Sequence, residues 1–223
     1  MHVQRVRVVK DALDANNTIA RANRADFDRA GVTVINLMSA PGAGKTMLLE
    51  RTLARLEESP DSPRVGVIEG DVQGSLDANR LIEFHVPLVQ INTDPGFGGE
   101  CHLDANMVRT ALPSMPLDDI DLLIIENVGN LVCPAMFDLG ERAKVVIMSV
   151  TEGHDKPLKY PQMFRAAELM VLNKIDLLPY VSFDPEACIR YARQVNPALD
   201  VVSVSATRGD GLEGWYRWLR ARR

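Results

Sequence analysis

Cysteine is scarce in this 223-residue chain: Cys101, Cys133 and Cys188 are its only three. That is too few for a disulfide framework, and it fits a reducing compartment where thiols stay free. No Cys-x-x-Cys pair is present, which removes the most specific sequence signal of a zinc site. Basic excess is lacking too, with a net charge of −5 and a pI near 5.4. General nucleic-acid affinity, which shows as a basic stripe, is therefore not expected. No apolar run reaches membrane-spanning length. The first 29 residues are charged throughout and lack the apolar centre of a signal peptide, so a cytoplasmic protein is expected. There is no internal repeat and no low-complexity tract.

What is present reads as a single α/β domain. The length fits one full core, and the 46% hydrophobic and 25% charged content is ordinary for a globular protein. Val6, Val9, Leu13 and Ala20 recur at roughly helical spacing, so residues 1–30 read as a helical appendage preceding the domain at 31–223. From Val32 onward, continuous apolar strands alternate with helices. Strands are expected over 32–38, 64–69, 87–92, 121–125, 144–150, 169–172 and 200–204. Helices are expected over 45–57, 75–84, 102–111, 160–167, 185–194 and 211–220. This pattern predicts a mainly parallel sheet with helices on both faces.

Ser39-Ala40-Pro41-Gly42-Ala43-Gly44-Lys45-Thr46 follows the first strand and opens a helix. Backbone N–H groups in such a turn can ring a β-phosphate, Lys45 can reach the β/γ-phosphates, and the Thr46 hydroxyl is placed for Mg²⁺. Ser39 stands where this P-loop pattern usually has its first glycine. Asn173-Lys174-Ile175-Asp176 ends another apolar strand. A carboxylate there can accept from guanine N1–H and the exocyclic amine, a pair that adenine does not offer. The Lys174 stem can lie over the base, and Ser205-Ala206-Thr207 can present a backbone N–H to guanine O6. Taken in this order, the two texts select GTP/GDP over ATP. Glu126-x-x-Gly129 takes the place of an Asp-x-x-Gly switch, and Asp71 ends the second strand on the P-loop edge. Glu126 and Asp71 can hold Mg²⁺ with Thr46 or orient the attacking water, so Lys45, Asp71 and Glu126 are the catalytic candidates. Strand-end capping is the plain alternative for Asp71 and Asp77.

Cys101-His102 follows a glycine-rich loop, and Cys133 lies in a second edge loop four residues after Gly129. Two thiolates and an imidazole suit Ni²⁺ or Zn²⁺. The plain alternative is that a free cysteine is simply a small buried apolar residue, which is the reading for Cys188. His85 and His154 read as structural or surface residues. Soft ligands beside a nucleotide switch suggest a protein that uses GTP to take up, hold or release a transition metal.

Together these residues resemble the HypB family, GTPases that help insert nickel into [NiFe]-hydrogenase. The resemblance runs from about residue 31 to the C-terminus. Its diagnostic pieces are the P-loop with Pro41, residues 69–71, 101–105, 126–134, 137–141 and 151–161, and Asn173 to Tyr180. It implies a P-loop GTPase domain, a GTP-favoured homodimer, and a metal site at Cys101, His102 and Cys133. It also implies dimer support from the segment holding Leu177 and Val181. The implied partners are a HypA-like nickel-binding maturation protein and the hydrogenase large subunit. Many members carry an early cysteine motif or a histidine-rich tract. Neither is found here, so nickel storage is not expected. Loop 94–100 is longer than the family pattern, and Glu100 stands where glycine is usual. The competing readings are a related GTPase serving another nickel or cobalamin enzyme, and a GTP-binding module with a structural zinc site.

Overall fold

The computed structural model describes residues 8–58, 62–72, 76–93 and 100–222, with side chains from residue 13 onward except those of 76 and 77. Asp77 and the interior of the 94–100 loop, for which the sequence suggests roles, lie outside the described side chains. In chain order the elements are α1 (Val8–Ala30), β1 (Thr33–Ser39), α2 (Lys45–Glu57), β2 (Val65–Asp71), α3 (Leu76–Leu81) and β3 (Leu88–Asn92). Next come α4 (Ala105–Ala111), β4 (Leu122–Glu126), β5 (Ala143–Ser149), α5 (Lys156–Lys159), α6 (Pro161–Ala166) and β6 (Leu169–Asn173). The chain closes with α7 (Pro185–Val195), β7 (Asp200–Ser203) and α8 (Leu212–Arg220).

The strands form one seven-stranded sheet in the order β3-β2-β4-β1-β5-β6-β7. Every neighbouring pair is parallel. All C-terminal strand ends therefore open on one edge, and β1 sits at the centre, where ligand crevices of open α/β sheets form. Alternation along the strands sorts the core onto two faces. Ile35, Leu37, Ile124, Val145 and Ile147 pack with Leu48, Leu49 and Leu53 of α2 and Trp215 and Leu219 of α8. On the other face, Val34, Ile68 and Ile125 pack with Phe27 of α1 and Val108 of α4. Beside them, Met38, Val146, Met148 and Met170 pack with Phe164 and the wholly buried Cys188.

The sequence reading made α1 an appendage; in the structure it is docked. Asn16, Ala20, Asn23 and Phe27 form its buried face, at spacings of four, three and four. Two of these four are polar, which hides the stripe from an apolar count. Asn23 Nδ2 donates to the carbonyls of Ala105 (2.9 Å) and Leu139 (3.1 Å). Asn16 donates to Asp138 O (2.9 Å), and its Oδ1 accepts the Ala105 N–H (2.8 Å), one of the first-turn donors of α4. Arg24 pairs with Asp138 at 2.8 Å. The 137–141 text is thus the seat of α1. Gly140 holds φ +96°, and a Cβ there would stand 2.8–2.9 Å from Asn23 Cβ, Ala20 O and Arg24 N.

One boundary differs in a way that matters. The expected helix over 102–111 begins only at Ala105, because Asp104 caps it by accepting from the Met107 N–H (2.7 Å). Cys101 and His102 therefore lie in the turn before the helix. The expected 75–84 helix is likewise divided into α3 and a 3-10 turn over Ile82–Phe84.

Gly140→Ala combines a disfavoured φ with close contacts to the α1 backbone. It should lower unfolding stability by about 1–3 kcal/mol, and Phe27→Ala by about 3–5 kcal/mol. Urea unfolding checks both; wild-type midpoints would mean that α1 is not seated on this loop.

Candidate functional site

The nucleotide constellation assembles around the end of β1. Gly44 takes a left-handed conformation (φ +95°) and opens α2. A Cβ at Gly44 would stand 2.6 Å from Asn173 Nδ2, so the P-loop and the β6 end touch only because this residue is glycine. Asn173 is 1% exposed. Its Nδ2 donates to Ala43 O (2.9 Å), while its Oδ1 accepts from the N–H groups of Lys174 (2.8 Å) and Ala206 (3.1 Å). Lys174 Nζ donates to Gly42 O (2.7 Å). Ser205 Oγ donates to Asp176 Oδ1 at 2.6 Å. The residues read for base recognition are thus brought together and fastened to the P-loop. The Ala206 N–H, read as a donor to a base, is engaged by Asn173 here.

Ser39, in the usual glycine position, accepts from Lys45 Nζ at 3.1 Å. Thr46 Oγ1 donates to Glu126 Oε1 at 2.8 Å, and both residues are buried. Asp71 is placed differently. It ends β2, separated from β1 by β4, and its Oδ1 accepts from the Val72 N–H (2.7 Å). The carboxylate in register with Glu126 is Glu69, 2% exposed. Sequence reasoning passed over Glu69; its two-residue offset from Asp71 on the same strand face was the available signal.

The second constellation lies across β4. Cys101 and Cys133 have their sulfurs 3.4 Å apart. One ligand atom from each of Cys101, His102 and Cys133 falls within 4.8 Å of the others. The turn carrying Cys101 and His102 is anchored by Leu103, wholly buried over Gly70, where a Cβ would meet the leucine at 2.8 Å. The His102 ring packs on Phe137 with centroids 4.0 Å apart. Its Nδ1 is buried without a hydrogen-bond partner, and Glu100 Oε2 lies 3.7 Å away. Burial pushes the imidazole pKa down, against the pull of Glu100 and Asp104, and so favours the neutral, ligating form. Burial and the neighbouring Cys101 thiol push the Cys133 thiol up, opposed by Asn130. A buried orphan nitrogen beside two thiols suits a soft or borderline metal ion.

The remaining candidates fall outside these groups. Cys188 is wholly buried against Met148, and burial pushes its thiol up to about 12, as an inert core residue requires. His154 packs between Phe183 and Tyr191.

A model of the CobW/HypB/UreG nucleotide-binding domain matches residues 33–203. The hydrogenase maturation factor HypB of Escherichia coli K12 is 55% identical over 213 residues, covering 96% of this chain and 71% of that protein. The chain belongs to the HypB family of hydrogenase maturation factors. The crystal structure of HypB from Archaeoglobus fulgidus superposes with a TM-score of 0.85 at 40% identity, covering 94% of this chain and 98% of that one. HypB from Helicobacter pylori, solved in complex with nickel, gives 0.84 at 34% identity over 93% and 94%. Both family structures share the parallel P-loop NTPase architecture.

The two constellations meet at residues 126–133. Gly129 lies against the P-loop so closely that a Cβ would stand 3.0 Å from Pro41 Cα and 3.1 Å from Pro41 N. Gly129→Ala should push these segments apart and weaken binding of a non-hydrolysable GTP analogue by roughly 5- to 150-fold, the equivalent of about 1–3 kcal/mol of overpacking. Titration with a fluorescent analogue checks this, and unchanged affinity would show that the contact is slack. A metal ion taken up by Cys101 and Cys133 must displace thiol protons. Its affinity should therefore rise with pH through the neutral range, by up to roughly tenfold per unit for each proton displaced. A pH-independent affinity, measured by competition with a chelator, would remove the thiols from the ligand set.

Proposed function

We propose that this chain is a GTP-hydrolysing metallochaperone. It helps deliver nickel to the [NiFe]-hydrogenase large subunit in the cytoplasm, with metal binding coupled to GTP-dependent dimerisation. The observation that carries this reading is the sharing of one loop, residues 126–133, by a P-loop site and a Cys-His-Cys site. Family membership supports the hydrogenase assignment, and the nickel complex of the Helicobacter pylori relative supports nickel as cargo.

In this reading Gly42, Ala43, Gly44 and Lys45 hold the phosphates, with the Lys45 ammonium against the β/γ-phosphates. Asp176, held by Ser205, accepts the guanine donors. Asn173 fixes Lys174 and Ala206 around the base. Thr46 and Glu126 would hold Mg²⁺, with Asp71 or Glu69 completing the acidic edge; the ion supplies charge compensation on the phosphates when bound. The buried Thr46–Glu126 pair, linked at 2.8 Å, supports this reading, since a hydroxyl and a carboxylate are oxygen ligands of the kind a hard cation takes. Cys101, His102 and Cys133 receive Ni²⁺, or Zn²⁺ in its place.

Leu177 and Val181 flank the strongly exposed Tyr180 and support the dimer. Both also pack partly against the core around Phe164. Any loss of dimer on their truncation must therefore be read beside a thermal melt. A HypA-like nickel-binding protein and the hydrogenase large subunit are the partners. No helix among the described residues is long and apolar enough to cross a membrane.

The test is base selectivity and turnover. Purified protein should hydrolyse GTP and neglect ATP. Lys45→Ala should abolish turnover while the protein stays folded. Asp176→Asn should erode guanine preference by roughly 10- to 150-fold, the equivalent of about 1.5–3 kcal/mol for a charged hydrogen bond. Full selectivity in that variant would remove Asp176 from base reading, and turnover surviving in Lys45→Ala would contradict the phosphate assignment.

A further inference from the structure

Glu126 and Asn127 are consecutive, so their side chains leave the end of β4 on opposite faces of the sheet. Glu126 meets Thr46 on the nucleotide side. Asn127, 1% exposed, takes the other side. Its Oδ1 accepts the buried Leu103 N–H at 3.0 Å, one residue after His102, and its Nδ2 donates to Asn36 Oδ1 at 3.2 Å. Three residues on, Asn130 repeats the grip. Its Nδ2 donates to the Cys101 carbonyl at 3.2 Å, while its Oδ1 accepts the Val132 N–H at 2.8 Å. Gly129, against Pro41 of the P-loop, stands between these two asparagines. The Cys101-His102 turn is therefore held on both sides by the segment that touches the P-loop.

The far side of Cys133 is held by something else. Lys144 Nζ on β5 donates to the carbonyls of Pro134 (3.2 Å), Ala135 (3.2 Å) and Phe137 (2.8 Å). It also lies 3.5 Å from the buried Glu141 carboxylate, which accepts from Leu139 N–H (2.7 Å) and from Asn36 Nδ2 (3.2 Å). Lys144 rises from β5; its hydrogen bonds fall on residues 134–137, and it is linked to Asn127 through Glu141 and Asn36. A buried N–H left without its acceptor is costly, so Leu103 must follow Asn127 when that residue moves. The carbonyls after Cys133 stay with β5.

We propose that Asn127 and Asn130 are positioning residues that carry a displacement of Gly129 to Cys101 and His102, while Lys144 keeps the chain just after Cys133 in place. Nucleotide state then changes the metal site by moving one half of it against the other. The plain alternative is that both asparagines merely cap a strand end and a turn, and it predicts a different result below. This inference rests on the reading that GTP and metal communicate through residues 126–133.

The test uses Co²⁺ and Ni²⁺ titrated into the full chain with GDP and with a non-hydrolysable GTP analogue. Wild type should show metal affinities differing by at least about fivefold between the two nucleotide states, the low end of ordinary allosteric coupling. The thiolate-to-cobalt charge-transfer band should also shift with nucleotide. In Asn127→Ala and in Asn130→Ala the ratio should fall to within about twofold of unity and the band should stop responding. Because Asn130 is only half-buried, Asn130→Ala keeps the test valid if Asn127→Ala fails to fold. If folded variants keep the wild-type ratio and band shift, the clamp is overturned and the shared-loop reading stands. If wild type itself shows neither ratio nor shift, both fall together.

Discussion

A β-strand turns consecutive side chains to opposite faces, and at the end of β4 that constraint joins two chemistries. Glu126 reaches Thr46, and Asn127 reaches the Leu103 N–H beside His102. No helix or hinge separates them; a single peptide unit does. The rest of the fold serves this junction. The parallel sheet brings the β1, β4 and β6 ends to one edge, α2 and α8 fill one face, and α1 is seated on 137–141. That seat lies beside Phe137, on which the His102 ring packs. The N-terminal helix is thus part of the support of the turn carrying Cys101 and His102.

Interior polar groups do more here than cap strands. Asn16, Asn23, Asn36, Asn127 and Glu141 are all buried, and Lys144 is nearly so. Their hydrogen bonds run from α1 through the 137–141 loop and β1 to the turn carrying Cys101 and His102. Burial pushes the Glu141 carboxyl up, and Lys144 opposes that push. Such networks are costly when one member is removed, because the partners it leaves cannot turn to water. They also have few alternative arrangements, which suits the two-position behaviour proposed for the turn carrying Cys101 and His102.

Much of this was legible in the sequence. The P-loop and α2 over Lys45–Glu57 were readable because Gly42, Gly44, Lys45 and Thr46 each answer a local demand of backbone or phosphate. The Cys-His-Cys set was readable as soft-ligand residue types in two loops expected at one sheet edge, and the chain does bring the three within ligand reach of one another. Other features depend on contacts distant in sequence. Asn16 and Asn23 sit in a buried helical stripe, where polar residues break the apolar pattern. Glu69 lies beside Glu126 only through β2–β4 register. The start of α4 moved to Ala105 because Asp104 competes as a cap with helical continuation. The asparagines at 127 and 130 carry no motif that separates a capping amide from a coupling one; their partners are 24 and 29 residues away.

Linkage requires that any effect of nucleotide on the metal site be returned in equal measure. The most direct test of the shared loop is therefore the affinity of the wild-type chain for a non-hydrolysable GTP analogue and for GDP, each measured metal-free and nickel-loaded in the same buffer. The account predicts that nickel changes the analogue-to-GDP preference by about 5- to 150-fold. A preference that is identical with and without nickel would contradict it.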